Sequence, residues 1–204
     1  MLNYLIFGMS YAFAAAVQPG PLQTYIISQM FTKGWKASIP LAFSPLVSDI
    51  PISILTLYIL SNVPDVFINS LRIIGGLFLF ILAYKAYISW KSYSEAKTNS
   101  NESNHLTFFN AVLVNLLNPG PYIGWSLILG PLVLEAWSVA PKIGIMLIIC
   151  FYSTMIITMI GIIMLFAFAK ELVPKISKSI IGISSIGLFA FGIYQLYKGV
   201  HFFT

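Results

Sequence analysis

Residues 12–25 read AFAAAVQPGPLQTY, and residues 112–125 read VLVNLLNPGPYIGW. Each stretch sets an amide side chain and a Pro-Gly-Pro triplet inside an apolar run: Gln18-Pro19-Gly20-Pro21 in the first, Asn118-Pro119-Gly120-Pro121 in the second. A proline inside a helix has no N–H and collides with the carbonyl four residues back. Pro19 and Pro21 therefore strip the partners from the carbonyls of Ala15 and Val17, and Pro119 and Pro121 do the same to Asn115 and Leu117. Gly20 and Gly120 sit between them with little restriction on backbone angle. The sequence thus predicts two helices interrupted near their middles.

The surroundings of these interruptions decide the class of fold. Of 204 residues, 58% are apolar and 8% are charged, whereas a water-soluble domain carries about 25% charge. Such a chain cannot cover a globule in water. Its apolar stretches run for twenty residues or more, which suits helices that satisfy their own backbone in lipid and not the short alternating strands of a barrel. The reading is an all-α integral membrane protein with six spans: Leu2–Phe31, Ala37–Ser61, Val66–Trp90, Phe108–Trp137, Ile143–Ala169 and Ile176–Phe202. That leaves no room for a soluble enzyme domain. The polar stretch from Lys91 to His105 reads as a connector. With the N-terminus outside, inner loops hold Lys33, Lys36, Lys85, Lys91, Lys97, Lys170, Lys175 and Lys178, and outer ones only Arg72, Lys142 and Lys198. By the positive-inside rule both termini are expected to face out. A cleaved signal is not expected, because the positively charged n-region is missing and the apolar run continues past Ala14.

The two triplets are not the only echo between the halves. Gly76-Leu77-Phe78-Leu79-Phe80 returns as Gly187-Leu188-Phe189-Ala190-Phe191, and Tyr84 and Tyr87 answer to Tyr194 and Tyr197 after a one-residue slip. Markers in the same order at both ends of a three-helix unit predict a duplication within a single transmembrane domain spanning 1–204. The first repeat is 1–90, the connector 91–106 and the second repeat 107–204. An odd number of spans per unit inverts the second copy, the arrangement of many transporters. The four tyrosines read as interfacial anchors.

An interrupted helix in hydrocarbon is tolerated only where protein or a water-filled cavity surrounds it. The half-helix beyond each break offers N–H groups and partial positive charge suited to a carboxylate, and the released carbonyls, with Gln18 and Asn118, can accept from an ammonium. Kinks made only for packing are the alternative. Two kinks at equivalent positions favour a shared substrate site. Tyr25 and Trp125 lie four residues past the second proline of each break, on its face, as cavity walls or as ordinary packing aromatics.

Asp49 is the midpoint of its span, twelve residues or about 18 Å from either end. An ionised Asp there costs about 2.5–3.5 kcal/mol, so a functional role is the first reading. Burial penalises the charged form and makes a neutral, proton-carrying form accessible, as a proton coupler requires. A packing Asp held by Ser44, Ser48 or backbone is the alternative. Glu135, about 21 Å past Pro121 along a helix, belongs at the outer interface. Cys150 is the single cysteine, and with His105 and His201 far apart no metal site or cofactor is expected.

Pro19-Gly20-Pro21, the Lys33-Gly34-Trp35-Lys36 turn, Asp49 in the second span and the Asn118-Pro119 break together resemble the lysine-exporter (LysE-type) family of amino-acid translocators over nearly the whole chain. The resemblance implies a multi-pass exporter in the cytoplasmic membrane, driven by the proton gradient, for amino acids or similar zwitterions. It supports Pro19, Gly20, Pro21, Asn118, Pro119 and Asp49 as the functional core. The chain departs from the family in carrying Ser44, Pro45 and Ser48 where small glycines are common, and Gly120 where many members have a lysine. The expected partners are a small amino acid-like substrate and the lipid bilayer, with no nucleic acid, and self-association is left open. The competing classes are a non-transporting membrane subunit and an intramembrane enzyme or redox carrier. A thiol relay would need a second cysteine.

Overall fold

A computed structural model describes residues 2–59, 65–92, 104–172 and 176–203, and all regular structure among them is helical. The elements are α1 (Leu2–Val17), α2 (Pro21–Lys33), α3 (Trp35–Ser38), a 3₁₀ stretch (Ile39–Phe43), α4 (Ser44–Ile59), α5 (Asp65–Lys91), α6 (Asn104–Leu116), α7 (Pro119–Gly124), a π-helical turn (Trp125–Leu129), α8 (Gly130–Val139), α9 (Pro141–Leu172) and α10 (Ile176–Phe203). Most of the Lys91–His105 connector, residues 93–103, lies outside the described residues.

Among the described residues, five helical stretches are long and apolar enough to cross a bilayer: Trp35–Leu57, Asp65–Lys91, Pro119–Val139, Pro141–Lys170 and Lys178–Phe203. Two shorter apolar helices, Leu2–Val17 and Leu106–Leu116, each run up to an interruption and a second helix. The outer surface has the character of a lipid-facing one. Ile157 is 69% exposed and Ile186 70%, whereas Ser38, Ser44, Ser48, Thr107 and Asn115 are buried. In water that distribution would be upside down.

The longest helix pair is α5 with α10, flanked by α1 against α9, α2 against α10 and α4 against α6. Small residues let the first pair close up. A methyl group on Gly76 would lie 2.9 Å from the carbonyl oxygen of Gly192, and one on Gly192 2.7 Å from the ring of Phe80. Gly75 performs the same service for the second interruption, since a methyl there would fall 2.6 Å from the carbonyl oxygen of Leu117. Without a hydrophobic force between helices in lipid, this close approach and its dispersion contacts hold the bundle together.

The backbone at the first interruption departs from the reading above. Gly20 has φ −160° and ψ −180°, an extended conformation open to any residue, and among the described residues only Gly34 has a positive φ, at 85°. Glycine is therefore not required at position 20 for its backbone angle.

Replacing Gly192 with leucine is expected to destabilise the protein by about 1–3 kcal/mol through overpacking of the α5–α10 seam. Gly161→Ala, where nothing lies within 4 Å of the new methyl, is expected to be neutral in the same thermal unfolding measurement in detergent.

Candidate functional site

A cavity of about 400 Å³ lies between the two interruptions, lined by Gln18, Pro19, Gly20 and Pro21 from one and by Asn118, Pro119, Gly120 and Pro121 from the other. Proline chemistry sets where each interruption falls. Pro21 occupies the start of α2 and Pro119 the start of α7, where a missing N–H leaves no helical bond unmade. The carbonyls left behind are then taken up by side chains from beyond the break. Gln23 Nε2 donates to the carbonyl oxygens of Ala15 at 3.4 Å and Ala16 at 3.3 Å. The Tyr122 hydroxyl donates to that of Leu116 at 3.0 Å.

Not every group predicted to be free is free. The Asn115 carbonyl accepts the Asn118 N–H at 3.2 Å, and Asn118 Oδ1 accepts the Gly120 N–H at 3.1 Å. Asn118 is thus the N-cap of α7, and one N–H expected to face a ligand is already engaged.

Asp49 stands on α4, is 4% exposed and lines the cavity. Three elements hold its carboxylate. Asn115 Nδ2, from α6, donates to Oδ1 at 3.0 Å and also to Ser48 Oγ at 2.7 Å. The Tyr152 hydroxyl, from α9, donates to Oδ2 at 3.1 Å. Ser48 Oγ in turn donates to the carbonyl of Ser44 at 3.1 Å, and Ser44 Oγ donates to the carbonyl of Leu41 at 2.8 Å. That last bond serves the carbonyl that Pro45 deprives of a partner. Trp125 interacts with both Asp49 and Tyr152, yet its buried indole N–H makes no well-aligned hydrogen bond.

Trp125 opens the π-helical turn that precedes Gly130-Pro131. Pro131 cannot donate to the carbonyl of Leu127, and the helix widens ahead of it, as π turns at functional sites do. A methyl group on Gly130 would sit 2.4 Å from the carbonyl oxygen of Trp125, so the widened turn needs glycine there.

Of the residues singled out in the sequence, Gln18, Pro19, Gly20, Pro21, Asp49, Asn118, Pro119, Gly120, Pro121 and Trp125 come together around the cavity. Tyr25 does not. It is buried on the far side of the first interruption, where its hydroxyl donates to the carbonyl of Thr107 at 3.3 Å. The inverse correction applies to Tyr194, read as an anchor, which borders the cavity, as do Arg72 and Gln195. Glu135 lies outside it, exposed, and accepts from the Tyr4 hydroxyl at 2.8 Å. Asn115, Tyr152, Arg72 and Gln195 escaped the sequence reading, though each is a polar residue in an apolar stretch.

These features define a helical membrane protein with a polar chamber at the meeting point of two interrupted helices. A family model described as LysE type translocator matches residues 13–199. The chain belongs to that family, a family of membrane transporters and not of enzymes. No curated protein and no solved structure matches the chain.

Tyr122→Phe is expected to lower stability by about 1–3 kcal/mol, the cost of leaving the Leu116 carbonyl without a donor. Asn115→Val, which removes a donor from both Ser48 and Asp49, is expected to lower it by at least as much. Thermal unfolding of the purified variants checks both.

Proposed function

We propose that the protein is a secondary transporter that exports amino acids or similar small zwitterionic metabolites across the cytoplasmic membrane, in exchange for protons, by alternating access. One observation carries this reading: the cavity walled by both Pro-Gly-Pro interruptions, with Asp49 buried in its wall. The repeated sequence markers support six passes arranged as two inverted three-helix units, with α1 and α2 forming one pass and α6, α7 and α8 another.

The chemistry of coupling follows from Asp49. A carboxylate can hold a proton or face an ammonium group, and the first state removes the charge that attracts the second. Binding of a substrate ammonium therefore favours release of the proton, and protonation favours release of the substrate. Exchange results when only one of the two occupies the site at a time. In a low-dielectric chamber the competition is steep, since the charge is poorly screened by water.

The lysine-rich end of the bundle is closed. There Lys33 donates to Thr107 Oγ1, Lys170 donates to the carbonyl of Phe31 at 3.2 Å, and Phe31 packs edge-on against Phe166. Lys178 sits over Trp90 in the same region. This clustering supports a cytoplasmic assignment of that end and a conformation shut towards the cytoplasm, with both termini outside.

In tight proteoliposomes, an imposed pH gradient is expected to drive amino-acid movement by the wild type and not by Asp49→Asn, with the variant's unfolding temperature close to wild type. Normal pumping by Asp49→Asn would remove the coupling role. Gly120→Leu and Gly20→Leu are expected to block transport by filling the chamber. A methyl group at either position meets nothing closer than 3.3 Å, so the fold tolerates the first carbon. Unaltered substrate binding in both variants would exclude the chamber as the site.

A further inference from the structure

Arg72, one of the three cations expected on the outer side, lines the cavity wall from α5 and is half-buried. Its Nη1 donates to Asn69 Oδ1 at 2.8 Å. Asn69 is itself 4% exposed and is pinned by an Nδ2 bond to the carbonyl of Asp65 at 2.8 Å. A guanidinium has five donors in a planar fork, and this contact occupies one side of it. Among the described residues Arg72 has no carboxylate partner. A cation at the rim of an apolar bundle is costly unless an anion or water meets it, and Arg is the side chain best shaped for bidentate contact with a carboxylate.

The charged residues that line the cavity are thus one acid, Asp49, and one base, Arg72. The remaining lining is uncharged: amides such as Gln18, Asn118 and Gln195, and an apolar part made by Leu129, Phe151, Met155, Met159 and Phe191. Methionine adapts its shape to irregular apolar ligands. The volume of about 400 Å³ falls at the small end of the range for small-molecule sites, about 300–1,000 Å³.

We propose that Arg72 receives the substrate carboxylate and that the chamber selects neutral α-amino acids with apolar side chains. This rests on the reading of Asp49 as the group that faces the ammonium. A neutral zwitterion matches the two fixed charges one for one. A lysine substrate brings a second ammonium with no second carboxylate to meet it, and a glutamate brings a second carboxylate with no second cation. Either surplus charge would be buried among methionine and phenylalanine side chains, where an unpaired charge is strongly disfavoured.

The test is counterflow of leucine, lysine, glutamate and leucinamide through purified protein in liposomes. Leucinamide keeps the ammonium and the side chain of leucine but lacks the carboxylate. For the wild type, leucine exchange is expected to exceed that of each of the other three by about tenfold or more, the scale of one charge-assisted contact. In Arg72→Gln, leucine exchange is expected to fall about 10–100-fold while leucinamide exchange hardly changes, so the discrimination collapses. Arg72→Lys is expected to restore part of it. Undiminished preference for leucine over leucinamide in Arg72→Gln would overturn the role of Arg72. Lysine or glutamate exchanged by the wild type as fast as leucine would overturn the charge matching, without needing a variant. Wild-type liposomes that exchange no amino acid at all would instead overturn the transporter reading on which this inference stands.

Discussion

A carbonyl without a donor inside a bilayer costs several kcal/mol, and this protein interrupts two helices beside one chamber. Everything about the chamber follows from how those carbonyls are served. Gln23 reaches back to Ala15 and Ala16, Tyr122 to Leu116, and Ser44 to Leu41. In each case a side chain close to a proline donates to a carbonyl at the edge of an interruption or of the 3₁₀ stretch. These side chains serve part of the backbone that the interruptions leave unpaired.

Asp49 depends on the same arrangement. Asn115 lies one residue from the end of α6, and because the helix stops there its side chain can bridge Ser48 and Asp49 on α4 while its carbonyl turns to Asn118. Tyr152 approaches from α9 on the other carboxylate oxygen. One carboxylate thus ties α4 to α6 and α9. A change in its charge alters the strength of both donor contacts, since bonds to an ionised acceptor are roughly twice as strong as neutral ones. On the proposed coupling, this links protonation of Asp49 to the contacts among α4, α6 and α9.

The sequence marks these events unevenly. Proline spacing identifies which carbonyls lose their donors, and the isolated Asp49 announces itself by the cost of a carboxylate in lipid. The replacements are harder to see: a glutamine or a tyrosine in a membrane span has many roles, and only the fold shows Gln23 and Tyr122 bending back across the breaks. Arg72 was hidden for a different reason. Its distance from the start of α5 marks a cation near the end of a span, and only the fold shows that it borders the chamber while bonded to Asn69. Tyr25 has the same spacing from its Pro-Gly-Pro triplet as Trp125, yet it is buried away from the main chamber that Trp125 borders.

That difference has chemical content. Beyond the first interruption, Tyr25, Ser28, Gln29, Thr32 and Lys33 recur at the i, i+3, i+4, i+7, i+8 spacing of one helix face and border a space of only about 30 Å³, room for about one water. Beyond the second, Trp125 and Leu129 border the main chamber. The small space is thus a polar seam. Ser28 Oγ and Gln29 Oε1 have no hydrogen-bond partner there among the described residues, so water admitted to the seam would gain partners and would expose little apolar surface. An apolar seam of the same size would resist wetting by the hydrophobic cost of its surface. On the exporter reading, the polar stripe lowers the barrier to opening the chamber towards the lysine-rich end, the side from which an exported substrate must enter.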